Sequence, residues 1–141
     1  MAASRDTYAY FWVSKFECPD SDITTQMNIA PSRSLNKGAP GISRPQMPFS
    51  GWELHSPLPR GDRFIHEHIE ALLPLLEPRA QVIRRFLERF EVGISCVGYF
   101  TSINPGFHLS KEIISRISKL QLSADFDLYC HHIDSPSSAA S

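Results

Sequence analysis

The spacing of apolar residues switches along the chain between the two-residue period of a β-strand and the three-to-four-residue period of an α-helix. Four segments rich in β-branched and aromatic residues have the strand pattern, namely 7–16, 51–56, 91–102 and 122–131. Four others have the helix pattern, namely 22–28, 63–76, 79–90 and 111–120. The order β-α-β-αα-β-α-β predicts an α+β fold in which a mostly antiparallel sheet of about four strands packs against helices.

Details within these segments extend the fold prediction. Apolar groups occupy both alternate faces of residues 7–16, which predicts a central strand covered on both sides. Asp62 and Ser110 are the predicted N-caps of the second and fourth helices, and Leu109 with Ile114 would form a hydrophobic staple beside Ser110. Two β-α-β halves around a helical hairpin favour a ferredoxin-like sheet into which the hairpin is inserted.

The length of 141 residues fits a single α+β domain, which we place at residues 7–132. Residues 1–6 are predicted to be a flexible N-terminus, and the low-complexity residues 133–141 a disordered tail. Residues 31–50 are predicted to form a long loop rich in proline and glycine, because residues 31–59 hold six of the eleven prolines.

Charge and hydropathy exclude several classes of partner. Fourteen basic residues against fifteen acidic ones give a net charge of -1, whereas a general nucleic-acid binder is normally strongly basic. The longest apolar run is far short of the roughly 20 residues that cross a bilayer. We therefore expect neither a nucleic acid nor a membrane as partner.

The cysteines indicate a reducing compartment. Cys18, Cys96 and Cys130 are odd in number and widely spaced, and no CxxC pair occurs, which argues against a zinc ribbon or a thioredoxin-type motif. Residues 1–6 also lack the basic and apolar regions of a secretory signal. The expected location is the cytoplasm.

Several short motifs recur in an order and spacing typical of one family. They are the segments 29–34, 37–38, 51–56 (GWELHS), 66–73 (HEHIEALL), 109–112 (LSKE) leading to 120, and 125–129 (DFDLY). On these residues the chain resembles domain of unknown function 4279, a family of small bacterial proteins, from about Tyr8 to Tyr129. The resemblance implies the domain boundaries, and it implies no chemistry because the family has no assigned activity.

Two acidic residues near the C-terminal end are candidates for chemistry. Asp125 and Asp127 alternate with Phe126 and Leu128, which are predicted to face the core. The two carboxylates would share one face about 7 Å apart, where they could hold a cation or divide acid and base roles. The commoner arrangement is a solvated sheet face, and Asp127 could instead form a salt bridge with Arg33.

Histidine and tryptophan provide further candidates. His66 and His68 point away from each other on a helix, so they do not form a helical zinc pair. Arg33, Lys37, Trp52 and His55 surround the long loop, and Arg and Trp are enriched at binding hot spots. Trp52, on an alternating strand, is expected to be a core residue more often than a surface one.

These observations define a candidate binding set without catalytic or metal-ligating residues and without a cofactor. The set is Arg33, Lys37, Trp52, His55, Asp125, Asp127 and Tyr129. The sequence favours a non-enzymatic module that binds a protein partner, for example an immunity-type protein that neutralises a toxin. The alternative is a small-ligand or enzymatic site on the polar sheet face, made by Arg33, His55, Asp125 and Asp127. Convergence of these four side chains in a concave pocket would favour the enzyme, and a flat face would favour the partner surface.

Overall fold

A computed structural model of the protein describes residues 5–38, 49–101 and 106–130. These residues form strands and helices in the following order: β1 (Arg5–Ser14), α1 (Asp20–Met27), β2 (Arg33–Leu35), β3 (Gly51–His55), α2 (Ile65–Leu76), a 3-10 turn (Glu77–Arg79), α3 (Ala80–Arg89), β4 (Glu91–Phe100), α4 (Lys111–Lys119) and β5 (Ser123–Cys130). The α+β class and the predicted element order are confirmed, with β2 as an additional strand. None of the helices in these ranges has both the length and the apolar composition needed to cross a membrane.

The five strands form one mixed sheet in the order β2-β3-β1-β4-β5. The pairings β2–β3, β3–β1 and β1–β4 are antiparallel. The pairing β4–β5 is parallel, because α4 carries the chain back to the end of the sheet at which β4 begins. The predicted number of four strands was wrong, since the short strand Arg33–Leu35 pairs with β3 inside the segment predicted to be a loop. The arrangement is also not the ferredoxin-like one. In that fold another strand lies between the two parallel strands that a helix connects, whereas here β4 and β5 are adjacent.

The hydrophobic core lies between one side of the sheet and the helices. Ala9, Phe11 and Val13 of β1 are fully buried on this side, together with Ile69 and Leu72 of α2. β1 is the central strand of the sheet, as predicted, but its alternate side chains are only half-buried, so the prediction of a strand covered on both sides was wrong. Tyrosine explains the error, because its ring counts as apolar in the sequence pattern while its hydroxyl favours a hydrated surface.

Helix ends follow local hydrogen bonding. Ser110 caps α4 as predicted, and its Oγ accepts a hydrogen bond from the Ile113 N–H at 3.2 Å. Asp62 does not cap α2, because the helix begins later and the Glu67 carboxylate accepts the Phe64 N–H at 2.7 Å. Asp62 instead lies 3.1 Å from the Arg5 guanidinium.

Three predicted core positions are exposed. Ile114, the predicted staple partner, is 53% exposed because it faces away from the sheet on α4. Phe126 and Leu128 are 36% and 41% exposed, because β5 is the outermost strand and its side chains lie at the rim of the helix layer. The exposure of Phe126 and Leu128 thus follows from the edge position of β5, which the alternating pattern does not encode.

The described residues overlap the predicted domain boundaries only in part. β1 begins at Arg5, so part of the segment 1–6 is an ordered strand. The predicted loop 31–50 contains β2 at its start, and its residues 39–48 lie outside the described residues, as does the whole of 133–141.

Candidate functional site

The second side of the sheet carries aromatic rings and charges that no helix of the described residues covers, and we call it the open face. Its side chains alternate with the core along each strand: Arg33 on β2; Glu53 and His55 on β3; Tyr8, Tyr10 and Trp12 on β1; Ser95 and Tyr99 on β4; Asp125, Asp127 and Tyr129 on β5. The rings of β1 are half-buried, whereas the side chains of β5 are exposed. The open face is therefore accessible to a binding partner.

Five of the seven predicted site residues lie on the open face. They are Arg33, His55, Asp125, Asp127 and Tyr129. Trp52 faces the opposite side and is fully buried, and its Nε1–H donates to Thr24 Oγ1 at 3.0 Å. Lys37 follows β2, is exposed, and lies 3.9 Å from the Glu17 carboxylate. The side chains of Trp52 and Lys37 thus do not contribute to this surface.

The four residues of the enzymatic alternative do not converge. Arg33 lies on β2 at one edge of the sheet, and Asp125 and Asp127 lie on β5 at the other. Four strand spacings separate them, which is about 19 Å in a sheet. A salt bridge between Arg33 and Asp127, which the sequence suggested, is absent among the described residues for the same reason. The charges are dispersed over a surface and do not meet in one pocket.

Stacked rings occupy the centre of the open face. The ring centroid of His55 lies 4.8 Å from that of Tyr10 and 6.0 Å from that of Tyr8, and the rings are nearly parallel. Tyr99 and Tyr129 form a second stack at 5.1 Å. The Glu53 carboxylate fixes one edge of the first stack, since its Oε1 lies 3.0 Å from His55 Nε2. Rings that are held by one another lose little conformational freedom when a partner covers them.

An arginine from the loop after β3 covers one end of the open face. The Arg60 guanidinium lies 4.6 Å from the Tyr8 ring and 5.5 Å from the Tyr99 ring. It also donates from Nε to both carboxylate oxygens of Asp6, at 3.0 and 2.9 Å. The hydrogen bond with Asp6 raises the pKa of Arg60. The combination of ring contact and carboxylate contact is the arrangement that a planar guanidinium favours.

A depression of about 260 Å³ lies at the other end of the open face, around Trp12. Its lining includes Tyr10, Glu53, Ser95 and Asp125. The Trp12 ring packs over residue 93, which is glycine: a Cβ at that position would approach Trp12 Cζ2 to 2.8 Å. The Trp12 Nε1 atom is buried and has no hydrogen-bond partner. The depression thus combines aromatic residues of β1 with an acidic residue of β3 on one side and an acidic residue of β5 on the other.

Negative charge dominates the middle of the open face. Burial raises the pKa of Tyr10, and the carboxylates of Glu53 and Asp127 raise it further, against the opposing effects of Ser95 and Arg33. On the other side of the sheet, burial and the charge of Asp125 raise the pKa of Cys96 to about 12. Cys96 is therefore a buried thiol at neutral pH and not a nucleophile.

A serine and a histidine lie together where β3 ends. The Ser56 hydroxyl is 2.9 Å from His68 Nδ1 and accepts the Leu58 N–H at 3.1 Å. His68 is fully buried, and burial lowers its pKa against the opposing effect of a hydrogen bond with the Thr7 backbone. For catalysis by such a serine–histidine pair, a third group such as a carboxylate would have to orient the histidine. Among the described residues, no carboxylate forms a hydrogen bond with His68. The pair ties the end of β3 to α2.

Metal chemistry receives no support from the described ranges. Within 5–38, 49–101 and 106–130, no group of three or more His, Cys, Asp and Glu side chains could hold an ion. Asp125 and Asp127 share the open face, as predicted, but no further ligand joins them. His66 stacks on Phe64 while His68 points into the core, so the two histidines diverge as the helical geometry predicted.

Sequence reasoning missed the centre of the site. Tyr8, Tyr10 and Trp12 were assigned to a covered strand, and Arg60 was not singled out. The available signal was the contrast between the two alternating sets of β1, since one contains two tyrosines and a tryptophan and the other contains Ala9, Phe11 and Val13. Amphipathic rings on one side and purely apolar groups on the other are typical of a sheet with one accessible face.

The comparisons with known proteins identify a family and no activity. The family model described as a domain of unknown function, DUF4279, matches residues 5–131. No curated protein and no solved structure matches the chain significantly.

Proposed function

This chain belongs to the DUF4279 family, and we propose that it is a non-enzymatic module that binds a protein partner through the open face. The observation that carries the proposal is the band of accessible rings across the sheet, formed by Tyr8, Tyr10, His55, Tyr99 and Tyr129. Tyrosine, tryptophan and arginine are the residues that dominate protein-binding hot spots, because they bury a large area and keep a polar group.

The distribution of charge supports the same proposal. Arg33 lies on one edge strand and Asp125 on the other, while Glu53 and Arg60 contact rings within the band itself. Aromatic side chains interleaved with charged groups can bury a large area and still form hydrogen bonds and ion pairs with a partner. The enzymatic alternative has weaker support, because its four residues are spread across the sheet. An immunity-type protein is one form of this proposal, in which the open face would cover a toxin.

The cysteines support a cytoplasmic location for this module. Cys18 and Cys96 are free thiols although Cys18 is only partly buried, which fits a reducing compartment.

Two matched variants test the open face. Tyr10→Ala removes a ring from the centre of the open face, and Ile114→Ala removes an apolar side chain that is 53% exposed on α4. Proteins captured from a lysate of the source organism are purified individually, and their affinities for the wild-type chain and both variants are measured by calorimetry. A genuine partner should bind Tyr10→Ala about tenfold or more weakly, as at a hot spot, and bind Ile114→Ala within about twofold of the wild type.

Equal binding of a purified partner to the wild type and Tyr10→Ala would contradict the proposal. The same conclusion would follow if Ile114→Ala were the damaging variant, because the interface would then lie on the helical side. Both variants should keep the circular dichroism spectrum of the wild type, which separates lost binding from lost folding.

A further inference from the structure

The depression around Trp12 repeats the chemistry that the chain uses to hold Arg60. At the far end of the open face, Arg60 lies over the rings of Tyr8 and Tyr99 and donates to the carboxylate of Asp6. The depression is lined by Tyr10 and Trp12 of β1, with Glu53 of β3 on one side of them and Asp125 of β5 on the other. Both places therefore combine strand aromatic rings with carboxylates from the neighbouring structure.

The charges around the depression are not balanced by the chain itself. Glu53, Asp125 and Asp127 contribute three carboxylates, and Arg33 contributes one guanidinium. Among the described residues, neither Asp125 nor Asp127 forms an ion pair, and Arg33 forms none with Glu53 although the two are direct register partners. The net negative charge beside an aromatic floor attracts a cation.

The shape of the depression favours a planar cation. Gly93 lets the Trp12 ring pack directly over β4, because a Cβ at residue 93 would lie 2.8 Å from Trp12 Cζ2, and the ring offers an aromatic surface at the depression. A guanidinium can stack on such a ring and donate two hydrogen bonds to a carboxylate in its own plane, whereas an ammonium group acts as a point charge. Arg60 shows that this sheet face holds an arginine in that way.

We propose that the depression lined by Tyr10, Trp12, Glu53 and Asp125 receives an arginine side chain of the partner protein. This inference rests on the proposed function and adds the chemistry of the partner, which presents a basic residue to the open face. The arginine would stack on Trp12 and donate to the Asp125 carboxylate.

The two tryptophans allow a direct test by NMR. The chain contains two indole N–H groups: that of Trp12 lies at the depression, and that of Trp52 lies on the other side of the sheet, bonded to Thr24. The probe is the capped peptide acetyl-Gly-Arg-Gly-amide, titrated to about 50 mM because a single side chain is expected to bind with a millimolar Kd. Trp12 should shift with saturation, and Trp52 should stay in place.

Control peptides define the chemistry that is recognised. The citrulline peptide has the shape of the arginine peptide without its charge, and it should leave the Trp12 signal unchanged. The lysine peptide should bind at least about threefold more weakly than the arginine peptide, since it cannot form the stacked, bidentate contact. Equal shifts with arginine and citrulline, or equal affinity for arginine and lysine, would overturn the assignment.

Matched variants locate the binding position. Asp125→Asn should weaken the arginine peptide about tenfold, because it removes the charge of the proposed carboxylate acceptor. Glu88→Gln makes the same change in net charge on the exposed face of α3 and should have no effect. Equal effects of the two variants would show that the peptide responds only to overall charge, and would overturn the inference.

The outcome separates this inference from the proposed function. If Trp12 does not respond to the arginine peptide while Tyr10→Ala still abolishes binding of the purified partner, the arginine site is wrong and the protein-binding face stands. If Trp12 responds as described but the partner binds Tyr10→Ala normally, the face is not the protein interface and the cation site stands by itself.

Discussion

The two tryptophans should respond in opposite ways to replacement by phenylalanine. Trp52 is fully buried and donates to Thr24 Oγ1. Trp52→Phe removes this hydrogen bond, worth about 1 kcal/mol, and leaves a cavity with lost apolar contacts that cost about 1–2 kcal/mol more. We expect the free energy of unfolding to fall by about 2–3 kcal/mol.

Trp12→Phe removes a polar group that has no partner. The Trp12 Nε1 atom is buried without an acceptor, and such a donor costs about 1–3 kcal/mol in the native state. The smaller ring gives up about 1 kcal/mol of apolar burial. The two contributions oppose each other, so the free energy of unfolding should rise by about 0–2 kcal/mol over the wild-type value.

Urea denaturation at neutral pH measures this difference. With a slope of about 2 kcal/mol per M urea for a domain of this size, the midpoint of Trp12→Phe should exceed that of Trp52→Phe by at least about 1 M. Equal slopes for both variants and the wild type are required before the midpoints are compared. Trp12→Phe losing as much stability as Trp52→Phe would refute the reasoning, because it would mean that the Trp12 N–H has a good acceptor in solution.

Two further predictions concern the shape of the open face and its neighbouring histidine. Gly93→Ala should displace the Trp12 ring, because the new Cβ would lie 2.8 Å from Cζ2. We expect urea denaturation to show a loss of about 1–3 kcal/mol in the free energy of unfolding, and we expect the Trp12 indole N–H signal to move in the NMR spectrum. An unmoved signal would contradict the close approach. His68 is buried, and burial lowers its pKa below the usual value of 6.5. Neutral His68 therefore contributes fully to the stability of the native state above pH 6.5. This contribution is lost as the pH falls below 6.5, because the unfolded chain takes up the proton first. Urea midpoints between pH 7.5 and 5 should therefore fall more steeply for the wild type than for His68→Gln, and parallel curves would contradict the assignment.

The fold was predictable from sequence wherever a periodic pattern spans several turns or residues. The α2 stripe of Ile69, Leu72 and Leu76 and the Ser110 cap are local signals, and the structure confirms both. β2 has only three residues and makes its hydrogen bonds to β3, so no local pattern announces it. The parallel pairing of β5 likewise depends on where α4 returns the chain, which sequence spacing does not encode.

The candidate site was only half predictable, because strand alternation identifies two faces without saying which one is covered. Asp125 and Asp127 were placed correctly since charged side chains point away from a core. Tyr10 and Trp12 were not, because an aromatic ring fits a core and a hydrated surface equally well. Gly93 shows the physical difference: it lacks a Cβ, so the Trp12 ring can pack directly over β4 on the open face. β1 thus stabilises the fold through one set of alternate side chains and shapes the open face through the other. Substitutions in the second set should therefore change binding with little loss of stability, a separation that a strand buried on both sides would not allow.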